Sequence, residues 1–405
     1  MQPPSTQSLS QSLEWNPNIR GCRVVLLVQG FVSEDFKSNI ALDIAVQYRE
    51  AMKESGNLDF LRACAVLLVL VGHTLSFYGI QNIGPVRVIG LGQAGVSFFF
   101  VHTCLVLMMS LGRHARYGRA GLFGSFYVRR FFRIYPLSVV FVLSAAAFQL
   151  PSGDLTKGVV HVVPWSTGSL FSNLLLVQNL THSRDILSVL WSLPLEVQMY
   201  VFLPLLFLLL GRWGGIWSLL ALWCAAVGVA MVQPHVSARL NLAQFAPSFL
   251  PGVIAYVLSK RIRPFLPSWL WLIWVPVLSL LNFAPADKKP QWLVCLALGL
   301  SIPLFREISL APLRRVSFWI AKYSYGEYLC HVTCIWFAFE YLGHLPLGMQ
   351  WSVFILLITG IPVMVFHTIE APMMRMGSRL ADKWFLKPVS QTARAVPNGA
   401  TQSAN

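Results

Sequence analysis

The chain has 405 residues, of which 56% are hydrophobic and only 12% charged. A soluble domain carries about 25% charged residues, so this chain has too few polar groups to cover a globule in water. Its net charge of +15 lies in short segments between apolar blocks, an arrangement that points to a membrane and excludes a nucleic-acid-binding face.

Residues 1–56 read as a polar cytoplasmic extension. Residues 1–21 are rich in Ser, Gln and Pro, and the first apolar run, Val24 to Val28, is too short for a secretory signal. Residues 1–51 are expected to be dispensable. Ten apolar blocks follow, at about 58–80, 93–111, 134–150, 189–210, 214–233, 242–259, 267–285, 290–305, 324–343 and 349–370. Their lengths suit a hydrocarbon core about 30 Å thick, so the expected fold is an all-α polytopic membrane bundle of about ten helices over residues 57–372. With the N-terminus inside, the inside connections carry fourteen Lys and Arg against six outside. That bias predicts both termini in the cytoplasm of a multi-pass inner or plasma-membrane protein. Residues 373–405 then form a polar, basic cytoplasmic tail.

Two connections are long, the basic strip 112–133 inside and the loop 151–188 outside, and the Trp and His content of the second favours a functional role. No internal repeat supports an inverted-repeat transporter. The cysteines fall mostly within apolar blocks, and no Cys/His spacing suggests a metal site or a permanently bound cofactor.

Ionisable groups inside a bilayer are costly unless paired or hydrated, so each is a candidate for function. Arg62 and His73 lie eleven residues apart, about three helical turns, and so share one face of the first span. His73 is about 22 Å up that span and Glu196 about 10 Å below the outer surface, which puts them at one level. A second cluster is expected at the cytoplasmic level, with Arg62, Asp59, Arg130, Arg133 and Glu370, where arginine forks could hold phosphate. Arg129 reads as a helix-end anchor. Glu327 and His331, four residues apart, read as a structural pair. His102 is unassigned.

These residues fall in segments that resemble the membrane-bound acyltransferase 3 family. Asn57-Leu-Asp-Phe-Leu-Arg62 running to Val69-Leu-Val-Gly-His73 is similar to its first helix, with the Arg-x10-His pattern. Gly95-Val-Ser-Phe-Phe-Phe-Val101 resembles its second, and Arg129-Arg-Phe-Phe-Arg133-Ile-Tyr-Pro136 the basic motif that opens its third. Trp191-Ser192-Leu-Pro-Leu-Glu196, Ser324-Tyr325-Gly-Glu-Tyr328-Leu-Cys-His331 and Ile369-Glu370-Ala-Pro372 complete the order. The chain departs from the family at Thr103-Cys104, where a Ser-Gly pair is usual, and at Glu327, where an apolar residue is usual.

The resemblance implies a stand-alone enzyme that takes acyl-CoA, often acetyl-CoA, as co-substrate and a glycan, glycolipid or glycosylated small molecule as acceptor. It also implies an essential His73 and important Arg62, Arg130 and Arg133. Trp191, Ser192, Tyr325, His331 and Glu370 are expected to support them, with Asp59. Acyl transfer from a thioester to a hydroxyl needs a base and a site that excludes water. His73 suits the base, with Glu196 orienting it, while an acyl-histidine intermediate stays open. The competing reading is a transporter of a glycan or of a proton-coupled substrate that uses the same buried charges.

Overall fold

The computed structural model describes residues 55–84, 86–115, 119–154, 159–213, 215–237, 239, 241–281 and 289–385. The N-terminal extension up to residue 54 and the tail from 386 lie outside them.

The described chain is an all-α bundle. Its helices are α1 (Gly56–Phe77), α2 (Val88–His114), α3 (Arg119–Ala147), α4 (Thr167–Leu174), α5 (Gln178–Thr181), α6 (Leu193–Trp213) and α7 (Ile216–Val236). They continue as α8 (Leu242–Ser259), α9 (Ser268–Leu281), α10 (Lys289–Ser301), α11 (Ala311–Ile335), α12 (Leu347–Val365) and α13 (Ala371–Phe385). Only two short antiparallel hairpins interrupt them, β1 (Asn82–Ile83) with β2 (Val86–Arg87) and β3 (Ser152–Asp154) with β4 (Val159–His161).

Each of the ten apolar blocks falls on one of these helices. Among the described residues, seven helices are long and apolar enough to cross a membrane, whereas Ser268–Leu281 and Gln291–Leu304 are shorter. Large apolar side chains such as Trp217, Phe148, Val236 and Leu356 stay exposed on the outside of the bundle, as a lipid-facing surface requires. Depth in the bundle varies: 72% of the most apolar 18-residue stretch of α2 is buried against 22% of that of α7, so α2 is central and α7 peripheral.

Close approach of helix backbones builds the centre. α1 packs on both α2 and α11, and α8 packs on α2. At Gly95 a methyl group would strike the Ala65 carbonyl and the Val69 side chain, so only glycine lets α1 and α2 meet at this distance. Gly252 plays the same part between α8 and α2, facing the Val101 carbonyl and Cys104. The missing side chain at 252 makes room for the fully buried Cys104.

The start of α1 is latched. Ser55 caps it by accepting from the Leu58 N–H at 3.3 Å and donates to Glu307 at 2.6 Å. The Asn57 side chain accepts from the Ile308 N–H at 3.1 Å and donates to the Arg306 carbonyl at 3.1 Å. Trp271, completely buried, donates to the Asn57 carbonyl at 3.2 Å.

The structure corrects three boundaries read from hydropathy. α3 begins at Arg119 rather than 134, so Arg129, Arg130 and Arg133 stand on a helix and not in a basic loop. The described residues of 151–188 are folded: α4 carries a capping box at Ser166 and Ser169, and the Tyr135 hydroxyl of α3 donates to the Leu175 carbonyl at 3.1 Å. The tail begins as α13, whose Gly377 lies against Phe132 of α3 and whose Ser378 and Asp382 receive Arg129 at 2.9 and 2.7 Å.

Candidate active site

Four helices, α1, α2, α6 and α11, border a small, partly open cavity of about 30 Å³, lined by Val69, Phe99, Ser192, Glu196, Ser324 and Tyr328 among others. The spacing of Arg62 and His73 does place them on one face, because both reach α11. Arg62 Nε donates to Ser324 Oγ at 2.7 Å, and His73 Nδ1 meets His331 Nε2 at 2.7 Å. The two pairs occur in the same order along both helices, so α1 and α11 run parallel.

The histidine pair has a defined direction. His331 Nδ1 faces the carbonyl oxygens of Tyr328 at 2.8 Å and Glu327 at 3.3 Å. Carbonyls only accept, so this nitrogen carries the proton and, in a neutral ring, Nε2 is the acceptor. His73 Nδ1 therefore donates to it, which leaves the lone pair of a neutral His73 on Nε2. The rings are parallel within 5° with centroids 5.0 Å apart, the separation of an end-to-end N–H···N bond in one plane. The Glu327 carboxylate consequently does not pair with His331, whose ring nitrogens meet His73 and the two backbone carbonyls.

Glu196 is not the partner of His73 either. It accepts from the Tyr200 hydroxyl at 2.5 Å and interacts electrostatically with Arg62, Arg130 and Arg133. The depth argument failed: Glu196 lies in the field of Arg62, eleven residues before His73 on α1, and not at the level of His73. Tyr328 and Ser192 connect the two levels. The Ser192 hydroxyl bonds that of Tyr328 at 2.7 Å, and Tyr328 donates to the Val189 carbonyl at 2.8 Å. The Tyr328 and His331 rings are 5.9 Å apart.

The expected second cluster forms, with Glu196 added. Arg133 is hydrogen-bonded to the buried Glu370 and lies 6.0 Å from the Tyr325 ring centroid. Tyr325 donates to the Ile134 carbonyl at 2.8 Å. Arg62 stacks over Phe99 at 5.3 Å and is within the field of Arg133, Glu370, Glu196 and Asp59. Arg130 Nε is buried with no hydrogen-bond partner among the described residues, as is Glu370 Oε2. The cluster sets Arg62, Arg130 and Arg133 against Glu196, Glu370 and Asp59, three cations with three carboxylates. Trp191 is set apart from the cavity, its ring 5.5 Å from Phe245.

Sequence reasoning missed Asn57 and Glu307, which anchor the helix that carries both Arg62 and His73. It also missed Asp185, which accepts from Gln178 at 3.1 Å in the segment before α6. Burial raises the Asp185 carboxyl to about 6 against the opposing pull of that hydrogen bond. Glu307 carries no periodic signal in sequence, because its role is a contact across 250 residues.

Comparison with known proteins agrees with this architecture. The family described as "Acyltransferase domain" matches residues 55–369, from the cap of α1 to the end of the last apolar block. A protein named Acyltransferase MdmB from Streptomyces mycarofaciens is 30% identical over 239 residues, 56% of this chain and 54% of that protein. The chain thus spans about half the length of that relative. No solved structure matches it. Taken with the cavity and the helical bundle, the match over most of the chain makes this protein a member of the acyltransferase 3 family of membrane acyltransferases.

Proposed function

We propose that the chain is a ten-span, N-in and C-in membrane O-acyltransferase that moves an acetyl or other acyl group from cytoplasmic acyl-CoA to a hydroxyl of an extracytoplasmic glycan, glycolipid or glycosylated small molecule. The observation that carries this reading is the His73–His331 hydrogen bond, which leaves the lone pair of His73 on Nε2, towards Gly92 of α2 and one turn beyond the cavity-lining Val69. Catalysis follows from that geometry. His73 Nε2 takes the proton of the acceptor hydroxyl while its oxygen attacks the thioester carbonyl. The C–S bond then breaks, and the proton passes from the imidazolium to the departing thiolate. His331 is a positioning residue, fixing the tautomer as a carboxylate does in a triad.

Arg62, Arg130 and Arg133 hold the donor phosphates, with Arg130 the one whose buried Nε lacks a hydrogen-bond partner among the described residues. Asp59, Glu370 and Tyr325 tune and fix these arginines, and Ser192 borders the path of the acyl arm. The donor is a co-substrate, not a resident cofactor.

The test is thiol release from acetyl-CoA by membranes with and without the protein, joined to mass spectrometry of surface glycans for a loss of about 42 mass units per acetyl group. Membranes that carry the protein but release no thiol above the empty control would overturn the acyl-transfer reading.

A further inference from the structure

We propose that an amide patch of Asn179, Gln198 and Asn241, flanked by Trp191 and Phe245, is the acceptor subsite and holds an uncharged sugar ring. This rests on the acyl-transfer reading and names where and how its acceptor is chosen. Asn179 joins the patch from α5, its Nδ2 donating to Asn241 Oδ1 at 2.8 Å and to Gln198 Oε1 at 3.4 Å. Gln198 Nε2 returns a bond to Asn179 Oδ1 at 2.9 Å. Both Asn179 N–H groups are thereby used, while both of Asn241 and one of Gln198 have no partner among the described residues. All three residues are half-buried, so these donors remain within reach of a ligand.

A primary amide offers donors and acceptors together, which is what a ring bearing several hydroxyls requires. The Trp191 and Phe245 rings, 5.5 Å apart and tilted by 47°, add apolar faces for the C–H side of such a ring. None of these five residues is charged, and the nearest cation along the chain, Arg239, is exposed.

Two independent observations mark the same segment. Gln178 is almost completely buried, yet its Oε1 has no hydrogen-bond partner among the described residues. Leu176 and His182, which bracket α5, both hold φ of +55°, a conformation that side chains disfavour and that clusters at functional sites. The segment runs on to Val189 and Ser192, which Tyr328 ties to the cavity wall.

The experiment uses the full chain in lipid nanodiscs. Saturation-transfer NMR measures binding of methyl glucoside, methyl galactoside, methyl mannoside and methyl glucuronide, and acetyl-CoA affinity and thiol release are measured on the same preparations. At least one neutral glycoside should bind. Asn241→Asp still accepts from Asn179 but loses both free N–H groups, and it should weaken that binding about tenfold. Trp191→Ala should weaken it to a similar extent, with acetyl-CoA affinity unchanged in both variants. The proposal is overturned if no neutral glycoside binds, if the glucuronide binds best, or if binding survives both substitutions. Thiol release without glycoside binding removes the subsite and leaves acyl transfer standing. Glycoside binding without thiol release removes acyl transfer, and with it the patch as an acceptor site.

Discussion

Replacing His331 by leucine removes the acceptor that fixes the proton of His73 on Nδ1. The net loss is one neutral hydrogen bond, about 0.5–1.5 kcal/mol, and the N–H left without a partner adds about 1–3 kcal/mol more. A barrier raised by about 1.5–4.5 kcal/mol slows the reaction roughly 10- to 2000-fold. The loss should fall on kcat. The KM for acetyl-CoA should hold, because Arg62 and Ser324 lie two turns away along α11. His331→Gln places a carbonyl oxygen where Nε2 was, and it should recover a substantial part of the rate that leucine loses. Thiol release by purified protein in nanodiscs gives both constants, and thermal melting checks the fold. A folded His331→Leu protein whose kcat stays within about threefold of wild type would refute the tautomer argument, since that is far below the loss expected from it.

His73→Gln keeps hydrogen bonding but cannot accept the proton, so thiol release should fall about 10²–10⁴-fold with membrane insertion unchanged. Arg130→Ala should raise the KM for acetyl-CoA about tenfold or more without harming the fold, because no carboxylate is its hydrogen-bonded partner. Arg133→Ala instead strands the buried Glu370, at a cost of about 3–5 kcal/mol, and should lower the melting temperature sharply unless Glu370→Gln is added. Asp185 has a folded-state carboxyl raised to about 6 by burial, so its contribution is fully present below about pH 4 and is lost as pH rises through 6. Asp185→Asn should therefore stabilise the protein above pH 6, by at most about 3 kcal/mol, with no difference near pH 4 in a melting series. Asn57→Ala breaks the latch of α1 and should lower the melting temperature. Asn57→Asp restores the acceptor for Ile308 but not the donor to Arg306, and should recover only part of it.

Hydropathy located the helix cores well because lipid-facing and buried positions are both apolar in a bundle of this kind. It failed where charged residues interrupt the apolar run. Arg129, Arg130 and Arg133 hid the first four turns of α3, and Arg314, Arg315 and Lys322 hid the start of α11. In the site, the interval between Arg62 and His73 was readable because both lie on one helix. Their partners were not, since the contact between His73 and His331 spans 258 residues and no local pattern encodes it. One sign was present: Ser324 and His331 are seven residues apart, two turns on one face of α11. The i, i+4 neighbour Glu327 offered His331 a nearer explanation, and the two backbone carbonyls displaced it.

The parallel fastening of α1 to α11 at two levels has a mechanical consequence. Arg62 and His73 are about 16 Å apart along one rod, and their partners Ser324 and His331 are about 10 Å apart along the other. On the proposed assignment, the pair works as a fixed ruler between the phosphate end and the base end of the site. Sliding or rotating either helix loosens both fastenings together, so the grip on the donor and the aim of the base cannot be adjusted separately. An enzyme built this way meets a donor of different length by changing what lies between the fastenings, at Val69, Phe99 and Tyr328, and not by moving the helices that carry them.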